Sequence, residues 1–200
     1  DYALTHTRTD TSAIFVVGVS GGGYATLCTY MKSKHRIHKF SAWSPISDLV
    51  AWHHESSIRG YRFAGDILDC TDSGSVLDTL KATGRSPLFW QIPENRLETA
   101  ELKIYTGIYD GIQGSVPITH SIHFYNKVIN QLHCQDTSLY VTGQEILKLF
   151  EGRKPLGDFG EISGRKIFLK KIYKNIQLVI FDGNHEMLAD AALDDLLMGE

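Results

Sequence analysis

The chain has 200 residues, 42% hydrophobic and 22% charged, with a formal net charge of −3. That is an ordinary globular mixture, long enough for one sizeable core, and a single domain over 1–200 is expected. The twenty basic residues are spread along the chain, which argues against nucleic-acid and membrane-surface partners, and no apolar run approaches bilayer-spanning length.

The first eleven residues are polar and read as the tail of a helix plus its loop. The chain starts at Asp1 without methionine and without a basic or apolar leader, so the expectation is that something upstream has been removed. Location stays open on that account: the cytoplasm is favoured, with a secreted or periplasmic site as the alternative.

Ile14 to Val17 is a short β-branched and aromatic run of the kind buried on both faces of a parallel sheet. "GVSGGGY" follows at 18–24, and then Tyr24, Leu27, Cys28 and Met31 recur at i, i+3, i+4 and i+7, predicting an amphipathic helix to about His35. A glycine cluster between strand and helix also suits a phosphate cradle, but no G-K-[ST] follows and G-x-G-x-x-G is not matched. Gly18-Val19-Ser20-Gly21-Gly22 fits instead a G-x-S-x-G elbow, in which a strand turns sharply into a helix and presents its serine at the bend.

"KFSAWSPISDL" reads as a second strand ending near Trp43 in a Ser-Pro turn. Residues 50–70 look helical in part and carry Trp52, Tyr61, Phe63 and Ile67. "ELKIYTGIYDG" is the third strand, with Asp110 just past its end. Beyond Pro117, Ile118, Ile122, Tyr125, Ile129 and Leu132 mark a second amphipathic helix.

Between Asp136 and Asn175, Thr142 and Glu145 are spaced as a capping box, Ile146, Leu149 and Phe150 form an apolar stripe, and Gly152 is a helix stop. "RKIFLKKIYK" reads as a basic strand or helix edge, its charges forming a solvated face. "NIQLVIFDGNHEML" is the fourth strand, ending in Asp182-Gly183-Asn184-His185 ahead of a final Ala- and Leu-rich helix. Three cysteines, Cys28, Cys70 and Cys134, have neither metal-like spacing nor an even count; no disulfide framework is expected, and Cys28 should be free and mostly buried.

This alternation of strands and helices predicts an α/β fold, a mostly parallel sheet with helices on both faces. Residues at the carboxyl ends of such strands converge on one sheet edge. Ser20, Asp110 and His185 occupy that position in the chain order nucleophile, acid, histidine. A serine hydroxyl is a weak nucleophile at neutral pH, so a neutral imidazole must take its proton and return it to the leaving group. His185 fits that role, with Asp110 holding its tautomer and the backbone N–H of Gly21 donating to the developing oxyanion. Asp182 lies closer to His185 in sequence but reads as a turn former. Tyr24, Trp43 and Trp52 are candidates for a substrate pocket. His53-His54 and His120-x-x-His123 lack a carboxylate or cysteine at zinc spacing, so no metal is expected.

The segments "GVSGGGY", "SAWSPISDL", "RSPL", "YDGIQGSVPITHSIHFYN" and "FDGNHE" together resemble an α/β-hydrolase of the prolyl-oligopeptidase and dienelactone-hydrolase-like branch. The resemblance spans roughly residues 10–190. It implies the C-terminal part of the α/β-hydrolase fold, with no cofactor and a small ester or short peptide as substrate. The activity expected is ester cleavage through an acyl-enzyme; a prolyl-oligopeptidase-type peptidase and a non-catalytic binding scaffold are the alternatives. Strands that the family places before the elbow, one of whose loops supplies a second oxyanion-hole N–H, are not in this chain. The elbow strand should then be an open sheet edge, covered by an N-terminal segment or another chain. The stretch 136–175 is longer than the family usually has between acid and histidine and is expected to be a lid or contact surface.

Overall fold

Four short apolar runs set the architecture. In the computed structural model, which describes residues 2–8, 10–94, 96 and 100–197, each of them is a strand. Asp1, where the polar first segment begins, lies outside the described residues. β1 (Phe15–Val19), β2 (Lys39–Trp43), β3 (Glu101–Gly107) and β6 (Ile176–Phe181) lie side by side in parallel. β5 (Arg165–Tyr173) adds antiparallel to β6, and β4 (Glu161–Ile162) to β5, giving the order β1-β2-β3-β6-β5-β4.

Helices α1 (Tyr2–His6), α2 (Gly21–Lys32), α3 (Leu49–Ile58), α4 (Phe63–Cys70), α5 (Thr79–Arg85), α6 (Thr119–Gln131), α7 (Gly143–Gly152) and α8 (Ala189–Leu197) fill the connections. Strand side chains alternate between faces, and the faces are covered differently. Phe40, Ala42, Leu102, Ile104, Leu178 and Ile180 pack under α2, α6 and α7 in the main core. Trp43, Tyr105, Val179 and Phe181 face the other way, against Ala191 and Ala192 of α8. Asp195 latches that helix to the sheet: Lys103 Nζ sits 2.8 Å from its Oδ1, and the Tyr105 hydroxyl donates to its other oxygen.

Two expectations are corrected here. The sheet has six strands rather than four, because Glu161–Ile162 forms the short β4 and "RKIFLKKIYK" beside it is β5. Its lysines do not all face solvent: Lys171 Nζ is 2.9 Å from Glu145 and donates to the Ser138 carbonyl at 2.8 Å, tying β5 to α7. The stretch 136–175 is accordingly no lid in the main; it widens the sheet at the edge away from the elbow and covers the new strand with α7, whose Leu149 is fully buried. The Thr142–Glu145 capping box is present, while the left-handed residue ending α7 is Arg153 rather than Gly152. At the opposite margin β1 is an edge strand with Val17 exposed. Among the described residues no helix is long and apolar enough to cross a membrane.

Candidate active site

Ser20 joins β1 to α2 with φ 58° and ψ −119°. A non-glycine residue seldom adopts such a backbone, and it persists only where the surroundings enforce it. Two backbone hydrogen bonds do so: Ser20 N donates to the Trp43 carbonyl at 2.9 Å, and Tyr24 N donates to the Ser20 carbonyl at 2.8 Å. Gly18 makes the bend possible, since a Cβ there would lie 2.4 Å from the Gly22 carbonyl. The serine thus stands at the N-terminus of a 12-residue helix, whose first N–H groups have no intrahelical acceptor and are available to an oxyanion.

Asp110 follows β3 and is fully buried. Its Oδ1 accepts from the backbone N–H groups of Gly111 and Val116, both at 3.0 Å. Its Oδ2 lies 2.8 Å from His185 Nδ1. With the carboxylate as acceptor, Nδ1 carries the ring proton and Nε2 is left with a free lone pair. His185 retains 22% side-chain exposure, so the ring is not sealed from solvent. Among the described residues no hydrogen bond joins Ser20 Oγ to His185, a contact that in free enzymes often forms only with substrate. Asp182 does not meet His185; its carbonyl accepts from Arg165 Nη1 at 3.1 Å, as befits a turn.

Two residues around the pair carry no motif of their own. A Cβ at Gly114 would stand 2.3 Å from Asp110 Oδ1 and 2.6 Å from His185 Cβ, so only glycine lets the acid loop close over the pair. Arg59, at the end of α3, donates to the carbonyls of Gly111 (3.0 Å), Ile112 (3.0 Å) and Gly114 (2.9 Å). Gly114 is legible in hindsight within "YDGIQGSVP"; Arg59 has no local signal, because its acceptors are backbone groups.

Beside the serine a cavity of about 260 Å³ is walled by Gly21, Tyr24, Ile46, Leu49, Trp52 and Ile67, with Asp66, Cys70 and Arg85 also lining it. Trp52 stacks on Phe63 with ring centroids 5.1 Å apart and donates through Nε1 to the Ser115 carbonyl at 3.3 Å. Tyr24 donates its hydroxyl to the Arg85 carbonyl at 2.7 Å. Trp43, grouped with these two from the sequence, is a correction: it is 0% exposed, stacks on Tyr105 at 4.1 Å and packs under α8. Period-2 alternation put its side chain on the sheet face, not at the strand end.

His120 is buried too, and burial together with the neighbouring His123 pushes its pKa down to about 3. The neutral ring accepts through Nδ1 from Ser47 N at 3.2 Å and, more weakly, from Asp48 N at 3.4 Å. It therefore organises the loop before α3. Among the described residues no group of three or more His, Cys, Asp or Glu is placed to hold a metal ion. The three cysteines are unpaired; Cys28 is half-buried, less than the sequence implied, and burial raises its pKa.

A mostly parallel sheet of this order with helices on both faces is the α/β-hydrolase fold, and Ser20, Asp110 and His185 follow β1, β3 and β6 at one end of it. A solved structure agrees on the fold: an acylaminoacyl peptidase in complex with Z-Gly-Gly-Phe-chloromethyl ketone superposes with a TM-score of 0.51 at 20% identity, over 65% of this chain and 19% of that one. Pyrococcus horikoshii acylaminoacyl peptidase gives a TM-score of 0.49 at 19% identity, over the same shares of the two chains. The matched part thus spans about a fifth of those proteins' length. No protein-family model and no curated protein sequence matches the chain.

Proposed function

We propose that the chain is a serine hydrolase that cleaves a carboxylic ester through an acyl-enzyme. The observation that carries this reading is the 2.8 Å Asp110–His185 pair on the same sheet edge as an elbow serine. Ser20 attacks the acyl carbon while His185 Nε2 takes its proton, and Asp110 steadies the imidazolium that forms. The Gly21 N–H donates to the oxyanion. His185 then protonates the leaving alcohol, and water, activated by the same ring, releases the acid and frees Ser20. The apolar cavity beside Gly21 receives the acyl group. An ester asks less of such a site than an amide, because an alcohol leaves more readily than an amine. The acylaminoacyl peptidase likeness favours a second reading, a peptidase acting on short blocked peptides.

The test is intact mass after fluorophosphonate treatment, on the 200-residue chain and on Ser20→Ala. One adduct on the serine protein and none on the variant is expected, with hydrolysis of p-nitrophenyl acyl esters falling on the order of 10⁶-fold in the variant. No adduct on folded protein overturns the reading in favour of a binding scaffold. Faster turnover of aminoacyl amides than of esters decides for the peptidase.

A further inference from the structure

We infer that Arg59 is a positioning residue for the Asp110–His185 pair: its guanidinium, by donating to three carbonyls of the acid loop, presses Gly114 against both side chains and fixes where His185 stands. The inference rests on the hydrolase reading for its kinetic consequence, but its structural content stands apart from it.

Three observations converge. The acceptors Gly111, Ile112 and Gly114 are nearly consecutive carbonyls of one tight loop, reached by two nitrogens of a single planar group at 2.9–3.0 Å. A rigid fork of donors can hold several carbonyls at once in a way that a single ammonium point cannot. The group is itself held, its Cζ lying 4.6 Å from the Tyr61 ring centroid. The loop it grips has no slack on its inner side, since Gly114 already stands where a single added carbon would strike Asp110 Oδ1 and His185 Cβ.

Without Arg59 those carbonyls turn to water and the loop is free to lift. Asp110 would keep its bond from the adjacent Gly111 N–H, but the wall that Gly114 forms against acid and histidine on the outer side would be gone. Arg59 touches neither substrate nor reacting atoms on this account; it acts through Gly114.

The experiment compares wild type, Arg59→Ala and Arg59→Lys in two readouts. One is kcat and KM on a p-nitrophenyl ester. The other is the proton NMR signal of the His185 Nδ1 proton, assigned by its absence in His185→Asn. Arg59→Ala should lower kcat roughly 100-fold, the scale of an ångström-level misplacement, with KM within about threefold, and should broaden or abolish the Nδ1 signal. Added guanidinium at non-denaturing concentration should restore part of both, and Arg59→Lys should fall between. A wild-type kcat and an intact signal in Arg59→Ala, or in Arg59→Lys should the alanine variant not fold, overturn the inference, as does a loss confined to KM. Absence of a fluorophosphonate adduct on wild type sinks the hydrolase reading alone; the NMR comparison still decides for or against the clamp.

Discussion

The acid loop and the histidine loop are each braced by one arginine, and the two braces are built differently. Arg59 makes three bonds to carbonyls of the acid loop, and behind it α3 is anchored at its other end: Asp48 caps it by accepting from Val50 N and Ala51 N, and the buried His120 holds Ser47 and Asp48. Arg165, on β5, reaches the histidine loop through one carbonyl, that of Asp182, and a looser 3.7 Å approach to Glu186, with its side chain 46% exposed. Three bonds to neighbouring backbone carbonyls, two of them part-buried, hold a position together, whereas one exposed carbonyl bond and a half-exposed ion pair are screened and contribute little. The acid loop is thus held at more points than the histidine loop.

The contrast can be broken at four points, taken from the largest effect down. Asp110→Asn should lower kcat by about 10⁴, since the amide favours the wrong imidazole tautomer; circular dichroism and NMR should report an intact fold. Gly114→Ala introduces a carbon where none fits and should cost roughly 100-fold in kcat by displacing acid and histidine together, a loss that initial-rate kinetics separates from any change in KM. Trp52→Ala should raise KM for bulky acyl esters severalfold, while Trp43→Ala should leave KM alone and destabilise the fold by about 3–5 kcal/mol in urea melts. Arg165→Ala should cost less than about 1 kcal/mol of stability and only a few-fold in rate; a loss as large as that of Arg59→Ala would erase the asymmetry.

Acid gives a fifth handle on the same side. Burial, together with the neighbouring His123, depresses the folded pKa of His120 to about 3 from its ordinary 6.5. Below pH 6.5 the unfolded chain therefore binds a proton that the folded one refuses, and stability falls as pH drops from there toward 3. The slope from this group alone approaches about 1.4 kcal/mol per pH unit. His120→Asn, whose amide oxygen can still accept from Ser47 N, should flatten the acid limb of a urea-midpoint profile relative to wild type. An unchanged limb would place the acid sensitivity elsewhere.

Much of this was legible in the residues, for identifiable reasons. Ser20, Asp110 and His185 each follow an apolar run that ends at a glycine or turn, so local pattern places them at strand ends and parallel topology does the rest. Trp43 was misplaced because nothing within "SAWSPIS" says which face α8, far along the chain, will cover. β5 was ambiguous because lysines on a strand look solvated until their partners, Glu145 and the Ser138 carbonyl, are brought to them by the fold. Arg59 left no trace at all: its role is defined by carbonyl groups, which every residue has.

The bent backbone at Ser20 has an evolutionary consequence. A non-glycine residue in such a conformation costs of the order of 1–3 kcal/mol, whereas glycine there would lose only about 0.5–1 kcal/mol of chain entropy on folding. Ser20→Gly should therefore melt no lower than wild type, and selection for thermal robustness alone would favour losing the hydroxyl. On the proposed hydrolase reading, what offsets that cost is the hydroxyl's part in the reaction rather than anything it does for the fold.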